Sequence, residues 1–68
     1  MKRVRYKIYL TTRAIVSAEL LATDPTMGLS DICKQLKDGQ WPIWMVDRVR
    51  VCVNPAHVVQ VTAEEVAE

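Results

Sequence analysis

Residues 3–10 alternate without a break. Val4, Tyr6, Ile8 and Leu10 are interleaved with Arg3, Arg5, Lys7 and Tyr9. Successive side chains of a strand point to opposite faces, so this period of two predicts a half-buried strand. One face is apolar; the other is basic, with Tyr9 among the charges. In a chain of 68 residues, read as complete from Met1, one such strand is a large part of the fold. A protein of 7.7 kDa buries about 60% of its unfolded surface, enough for one thin core and no second lobe. A multi-domain enzyme with its own cofactor domain is excluded. No apolar run approaches the roughly 20 residues of a spanning helix, so a membrane partner is not expected. An apolar share of 50% and a net charge of +1 exclude a disordered chain.

The rest of the chain reads as strands around one helix. Residues 12–22, TRAIVSAELLA, fit two patterns. As a strand, Ala14, Val16, Ala18 and Leu20 share a face; as a helix, Ile15, Ala18 and Leu21 form a stripe. Ile15 and Val16 favour the strand, which is the reading adopted. Asp24, Pro25, Thr26 and Gly28 mark a loop. A short helix is expected from a Ser30 or Asp31 cap, with Leu29, Ile32, Cys33 and Leu36 as its stripe and Gly39 as its stop. Pro42 limits residues 41–46 to an edge strand or an extended loop. Asp47 and Arg48 suit a turn before a strand carrying Val49, Val51 and Val53. Asn54 and Pro55 suit another turn before a last strand with Val58, Val59 and Val61. Thr62 and Glu65 have capping-box spacing, so the end reads as a helical turn in an acidic tail. The expected organisation is a single domain over residues 1–62 and an acidic tail over 63–68.

Charge is divided between the ends. Lys2, Arg3, Arg5, Lys7 and Arg13 open the chain without an acid; Glu64, Glu65 and Glu68 close it without a base. Such a split marks an anion-binding face or head-to-tail assembly, or else a solvated strand and a solubilising tail. Cys33 and Cys52 are too few for a disulfide scaffold. The basic start lacks the apolar run of a secretory leader, so a reduced, cytoplasmic protein is expected. With no disulfide or metal framework in view, oligomerisation is the remaining common support for so small a core.

No catalytic or metal constellation stands out. The single histidine, His57, shares a turn with Cys52, but a Cys on a strand is ordinarily a small hydrophobe. Zinc sites show paired ligands two to four residues apart, and none exist here. Gly28 and Gly39 do not have phosphate-loop spacing. The expectation is a non-enzymatic protein without cofactor or metal. Two contact surfaces compete. Arg3, Arg5, Lys7, Arg48 and Arg50, with Tyr9, form an anionic-partner face if their strands are adjacent, as phosphate contact and base stacking require. Against it, the pI is only 7.8. Trp41, Ile43, Trp44 and Met45 form an apolar cluster of residue types enriched at interfaces. One of the two tryptophans is assigned to the core and the other to an interface, with Trp44 as the anchor.

The segments YKIYLTTRAIVSAEL and RVRVCVNPAHVVQV resemble the bent strand pair and the final strands of small Sm-like or SH3-like β-barrels. NPAHVV is similar to the one-turn link before the last strand of such barrels. The resemblance covers about half the chain and implies ring-shaped RNA binding. This chain departs from it: Ser17 or Ala18 stands where a strand glycine is usual, and the helix is inserted mid-chain. The fold expected is α+β and mostly β, a small antiparallel barrel or strongly bent sheet with one short helix. The function expected is a small oligomeric regulator or adaptor that contacts another protein or itself, the alternative being an RNA- or DNA-binding regulator.

Overall fold

The computed structural model describes residues 1–66. Its elements run β1 (Lys2–Leu10), β2 (Ile15–Ala22), α1 (Pro25–Lys37), β3 (Ile43–Val46), β4 (Val49–Cys52), a 3₁₀ turn (Pro55–His57) and β5 (Val58–Glu65). Two antiparallel sheets form: a three-stranded sheet in the order β2-β1-β5, and the β3–β4 hairpin. They do not close into a barrel. The hairpin packs against β2 without pairing with it, so the α+β, mostly-β expectation holds and the barrel form does not.

The period of two in β1 is realised as written. Val4, Tyr6 and Ile8 are buried, and Arg3, Arg5, Lys7 and Tyr9 take the opposite face. Residues 15–22 are the strand β2. The β1–β2 connection works without Asn-Gly or Asp-Gly because Arg13 takes a left-handed conformation, φ 71°. Arg13 N–H donates to Leu10 O, and Leu10 N–H to Ala14 O, both at 3.0 Å. This is a three-residue loop with its last residue left-handed.

Tyr6 organises the packing. Its neighbours across the sheet are Ala18 on β2 and Ala63 on β5. Two small residues beside one large ring leave room for what lies above. Gly28, Ile32 and Leu36, spaced four apart on α1, face this site. Ile32 joins Val4 and Tyr6 in the core, with Leu36, Val61 and Ala63 packed around them. Trp44 meets the Tyr6 ring edge-on, centroids 6.4 Å apart and planes at 68°.

The helix begins at Pro25, earlier than the Ser30 or Asp31 cap expected from the sequence. Asp24 is the cap, its carboxylate accepting from Thr26 N–H at 2.9 Å, and Pro25 occupies the first helical position, where its missing N–H costs nothing. Asp-Pro and a following Gly read as a loop, but the same residues start helices. Gly39 ends α1 as expected. It has φ +75°, its N–H donates to Leu36 O, and Gln40 N–H donates to Gln35 O. These two bonds satisfy the last carbonyls in the pattern of a Schellman motif.

The expected acidic tail is also revised. Ala63, Glu64 and Glu65 continue β5 in register with β1, and Val66 N–H donates to Arg3 O at 2.9 Å. Thr62 and Glu65 therefore do not cap a helical turn: an unpaired β1 edge was available, and pairing with it satisfies the backbone. The tail residues 67 and 68 lie outside the described residues.

Asp47 and Arg48 form the two-residue β3–β4 turn, with φ 49° and 67°. Two positive φ values define a type I′ turn, where glycine is favoured at the second position. Replacing Arg48 with glycine is expected to stabilise the fold by about 1 kcal/mol, the cost of a left-handed side-chain-bearing residue. An unchanged urea midpoint would mean that Arg48 sits there without strain.

Candidate protein-contact surface

The polar face of the three-stranded sheet is a set of cross-strand ion pairs. Arg5 lies opposite Glu19 on β2 and opposite Glu64 on β5. Its guanidinium contacts Glu19 at 2.7 Å and Glu64 at 3.3 Å, and Lys7 Nζ lies 3.9 Å from Glu64. The hydrogen bond with Glu19 raises the Arg5 pKa above its ordinary value; partial desolvation opposes that, and the charges of both glutamates add to it. Lys2 pairs with Glu65 at 3.0 Å. Lys2, Arg5 and Lys7 are thus matched by carboxylates of β2 and β5. These pairs are solvent-exposed and contribute little stability. Their larger consequence is that the face is not a bare positive field.

Arg48 and Arg50 do not join it. They belong to the hairpin, which is not hydrogen-bonded to β1. The sequence-predicted face of Arg3, Arg5, Lys7, Tyr9, Arg48 and Arg50 is divided between two sheets. Both arginine pairs alternate with valine, and alternation alone does not say which strands are neighbours. Among the described residues, Arg3, Arg48 and Arg50 make no ion pair with a carboxylate.

The apolar cluster is divided too, by the pleat of β3. Trp44 and its cross-strand partner Val51 point inward, as does Val46, and all three are half-buried. Ile43 and Met45 point outward beside Cys52 and Arg50. Ile43 is 68% exposed and Met45 61%. Trp41 is exposed just before the strand, while Pro42 is buried and its carbonyl accepts from Val53 N–H at 3.0 Å. One tryptophan packs on the core and one is surface, but it is Trp44 that turns inward and Trp41 that faces solvent. The physical reason is parity: Trp44 shares its face with Val46 and meets Tyr6.

Among the described residues no hydrogen bond joins Cys52 to His57. Both cysteines are free and exposed. His57 faces the β1–β2 turn: its Nδ1 lies 3.4 Å from Thr11 Oγ1, and its carbonyl accepts from Thr11 N–H. Among the described residues no group of His, Cys, Asp or Glu is placed to hold a metal ion. No helix among them is long and apolar enough to cross a membrane.

Sequence reasoning missed the surface of β2. Ile15, Leu20 and Leu21 are all exposed. The signal was present in the consecutive Leu20 and Leu21, which occupy opposite faces of a strand and cannot both be core. Fold and surface together define a small α+β module: an antiparallel sheet covered on one face by a helix and a hairpin, with apolar side chains left outside. Comparison with protein-family models, with curated proteins and with solved structures returns no match.

Proposed function

We propose that this chain is a non-enzymatic protein-binding module, a small regulator or adaptor, that engages its partner through the outer face of the β3–β4 hairpin. The observation that carries the reading is the pair Ile43 and Met45, on one face of β3 and each more than half exposed, with the exposed Trp41 two residues before Ile43. A small water-soluble domain gains nothing from presenting large apolar side chains together unless they are covered in use. Met45 adapts to irregular surfaces, and Trp41 offers a large rigid anchor. Arg50 beside Met45 adds a polar rim contact. The nucleic-acid alternative draws less support, because Arg5 and Lys7 are already matched by Glu19 and Glu64.

The test is cross-linking in the host cell from a photoreactive residue placed at Cys52, exposed beside Ile43 on that face, in wild type and in the Ile43→Ser/Met45→Ser variant. Both side chains are exposed, so the variant keeps the wild-type melting temperature within a few degrees. The expected result is one discrete protein adduct that falls by about 30-fold in the variant, the effect of removing interface anchors. An adduct that survives the double substitution, or no adduct at all, sinks the proposal. Binding of a mixed RNA and DNA pool at low salt that weakens in Arg50→Ala would replace it with the nucleic-acid reading.

A further inference from the structure

We infer that the outer edge of β2 pairs with β2 of a second copy, in antiparallel register about Ala18, to join the two three-stranded sheets into one continuous sheet across a twofold axis. This surface is separate from the hairpin face, and its pairing does not depend on what the hairpin binds.

Backbone direction decides what the edge offers. Leu10 N–H donates to Ala14 O, and Val66 N–H donates to Arg3 O. Hydrogen-bonding direction alternates along a strand, so the even residues of β1 address β2 and the odd ones address β5. Ala18 lies opposite Tyr6 and Val16 opposite Ile8. The even residues of β2 are therefore committed to β1. The N–H and C=O groups of Ile15, Ser17, Glu19 and Leu21 point to the other side, where no described strand pairs with them.

Edge strands are normally guarded by proline, lysine, a bulge or short length. Over its eight residues, β2 has none of these. Its one charged side chain, Glu19, is held by Arg5. The opposite edge is guarded: the β1–β5 register shifts between Tyr9 and Leu10, and β5 carries Glu64 and Glu65. The difference in guarding selects β2.

The side chains select the partner and the register. A twofold axis at Ala18 sets Ile15 opposite Leu21 of the second copy, Ser17 opposite Glu19, and Val16 opposite Leu20. Ile15 is 55% exposed, Leu20 54% and Leu21 63% in the single chain, and this register pairs each with an apolar side chain. Moving the axis to Glu19 sets the two Glu19 carboxylates opposite each other, which is unfavourable. Moving it to Ser17 sets Ile15 against Glu19. One register satisfies both faces, and its match is to the same sequence, which is the condition for an isologous contact.

The experiment uses the intact chain. Sedimentation over micromolar to sub-millimolar protein gives the dimer constant for wild type, Ile15→Lys, Leu21→Glu and the double variant. Each substitution acts twice in a twofold dimer, so each single variant is expected to dissociate at least about tenfold more readily. The double variant recovers the dimer, because each introduced lysine then faces the introduced glutamate of the other copy. In wild type the backbone amides of Ile15, Ser17, Glu19 and Leu21 gain hydrogen-exchange protection as concentration rises. Ser17→Pro provides a second route should a charged variant fail to fold: it removes only an outward N–H and abolishes the dimer. A wild-type monomer throughout the range overturns the inference. A dimer that persists in both single variants and in Ser17→Pro, or a double variant that stays dissociated, overturns it equally.

Discussion

Replacing Tyr6 with alanine is expected to remove half or more of the stability of the fold. Truncating a buried aromatic to alanine costs about 3–5 kcal/mol. A chain of this length has a total stability of about 3–10 kcal/mol. The loss falls at the upper end because the cavity cannot close. Tyr6 is flanked by Ala18 and Ala63, which are too small to fill the space, and it supports both covers of the sheet. The helix reaches it through Ile32 and Gly28, and the hairpin through Trp44. Urea unfolding followed by far-ultraviolet circular dichroism measures the effect. Tryptophan fluorescence is the wrong probe, since the substitution also changes the surroundings of Trp44. A loss below about 1 kcal/mol would mean that helix and hairpin are held elsewhere.

Gly28→Ala is expected to destabilise the fold by about 1–3 kcal/mol, against the general rule for helices. Within a helix, alanine is ordinarily better than glycine by about 1 kcal/mol. Here a β-carbon on residue 28 would lie 2.8 Å from Tyr6 Cζ and closer still to the hydroxyl oxygen. The ring is buried and fixed between neighbouring strands, so the helix must lift. A control removes the ring: in a Tyr6→Leu background the same Gly28→Ala change should cost nothing or stabilise. A double-mutant cycle therefore reads a coupling of the size of the whole penalty. If Gly28→Ala raises the urea midpoint of the wild-type chain, α1 is not seated on Tyr6.

Tyr6 and Gly28 stand on opposite sides of what a sequence makes legible. Tyr6 was legible as core, because Val4, Tyr6, Ile8 and Leu10 keep one parity. Gly28 was read as part of a loop, because glycine is costly in a helix and common in turns. Only the approach of Tyr6 explains why it sits in the first turns of α1. The same division runs through the candidate surface. That Ile43 and Met45 share one face of a strand, and Trp44 the other, follows from their spacing. Which of the two faces meets solvent does not. That choice rests on Tyr6, which is remote from the hairpin in sequence, and on the room left beside it by Ala18 and Ala63.

Charge shows the limit most clearly. Arg5 and Arg50 look alike in sequence, each alternating with apolar residues in a strand. In the fold, Arg5 stands between Glu19 and Glu64, and Arg50 stands beside Met45 on a separate hairpin. Sequence distance hides these pairings, because β1 finds β5 across almost the whole chain.

The parity of β1, the turns at Asp47 and Asn54 and the end of α1 at Gly39 were all readable from the order of residues. These depend on alternation, turn chemistry and backbone freedom, which act between residues close along the chain. Long-range packing was needed to set the continuation of β5 to Glu65, the separation of Arg48 and Arg50 from β1, and the exposure of Ile43, Met45 and the β2 edge. Those depend on which strand lies beside which and on what covers each face. Such contacts join residues far apart in sequence, and no local pattern encodes them.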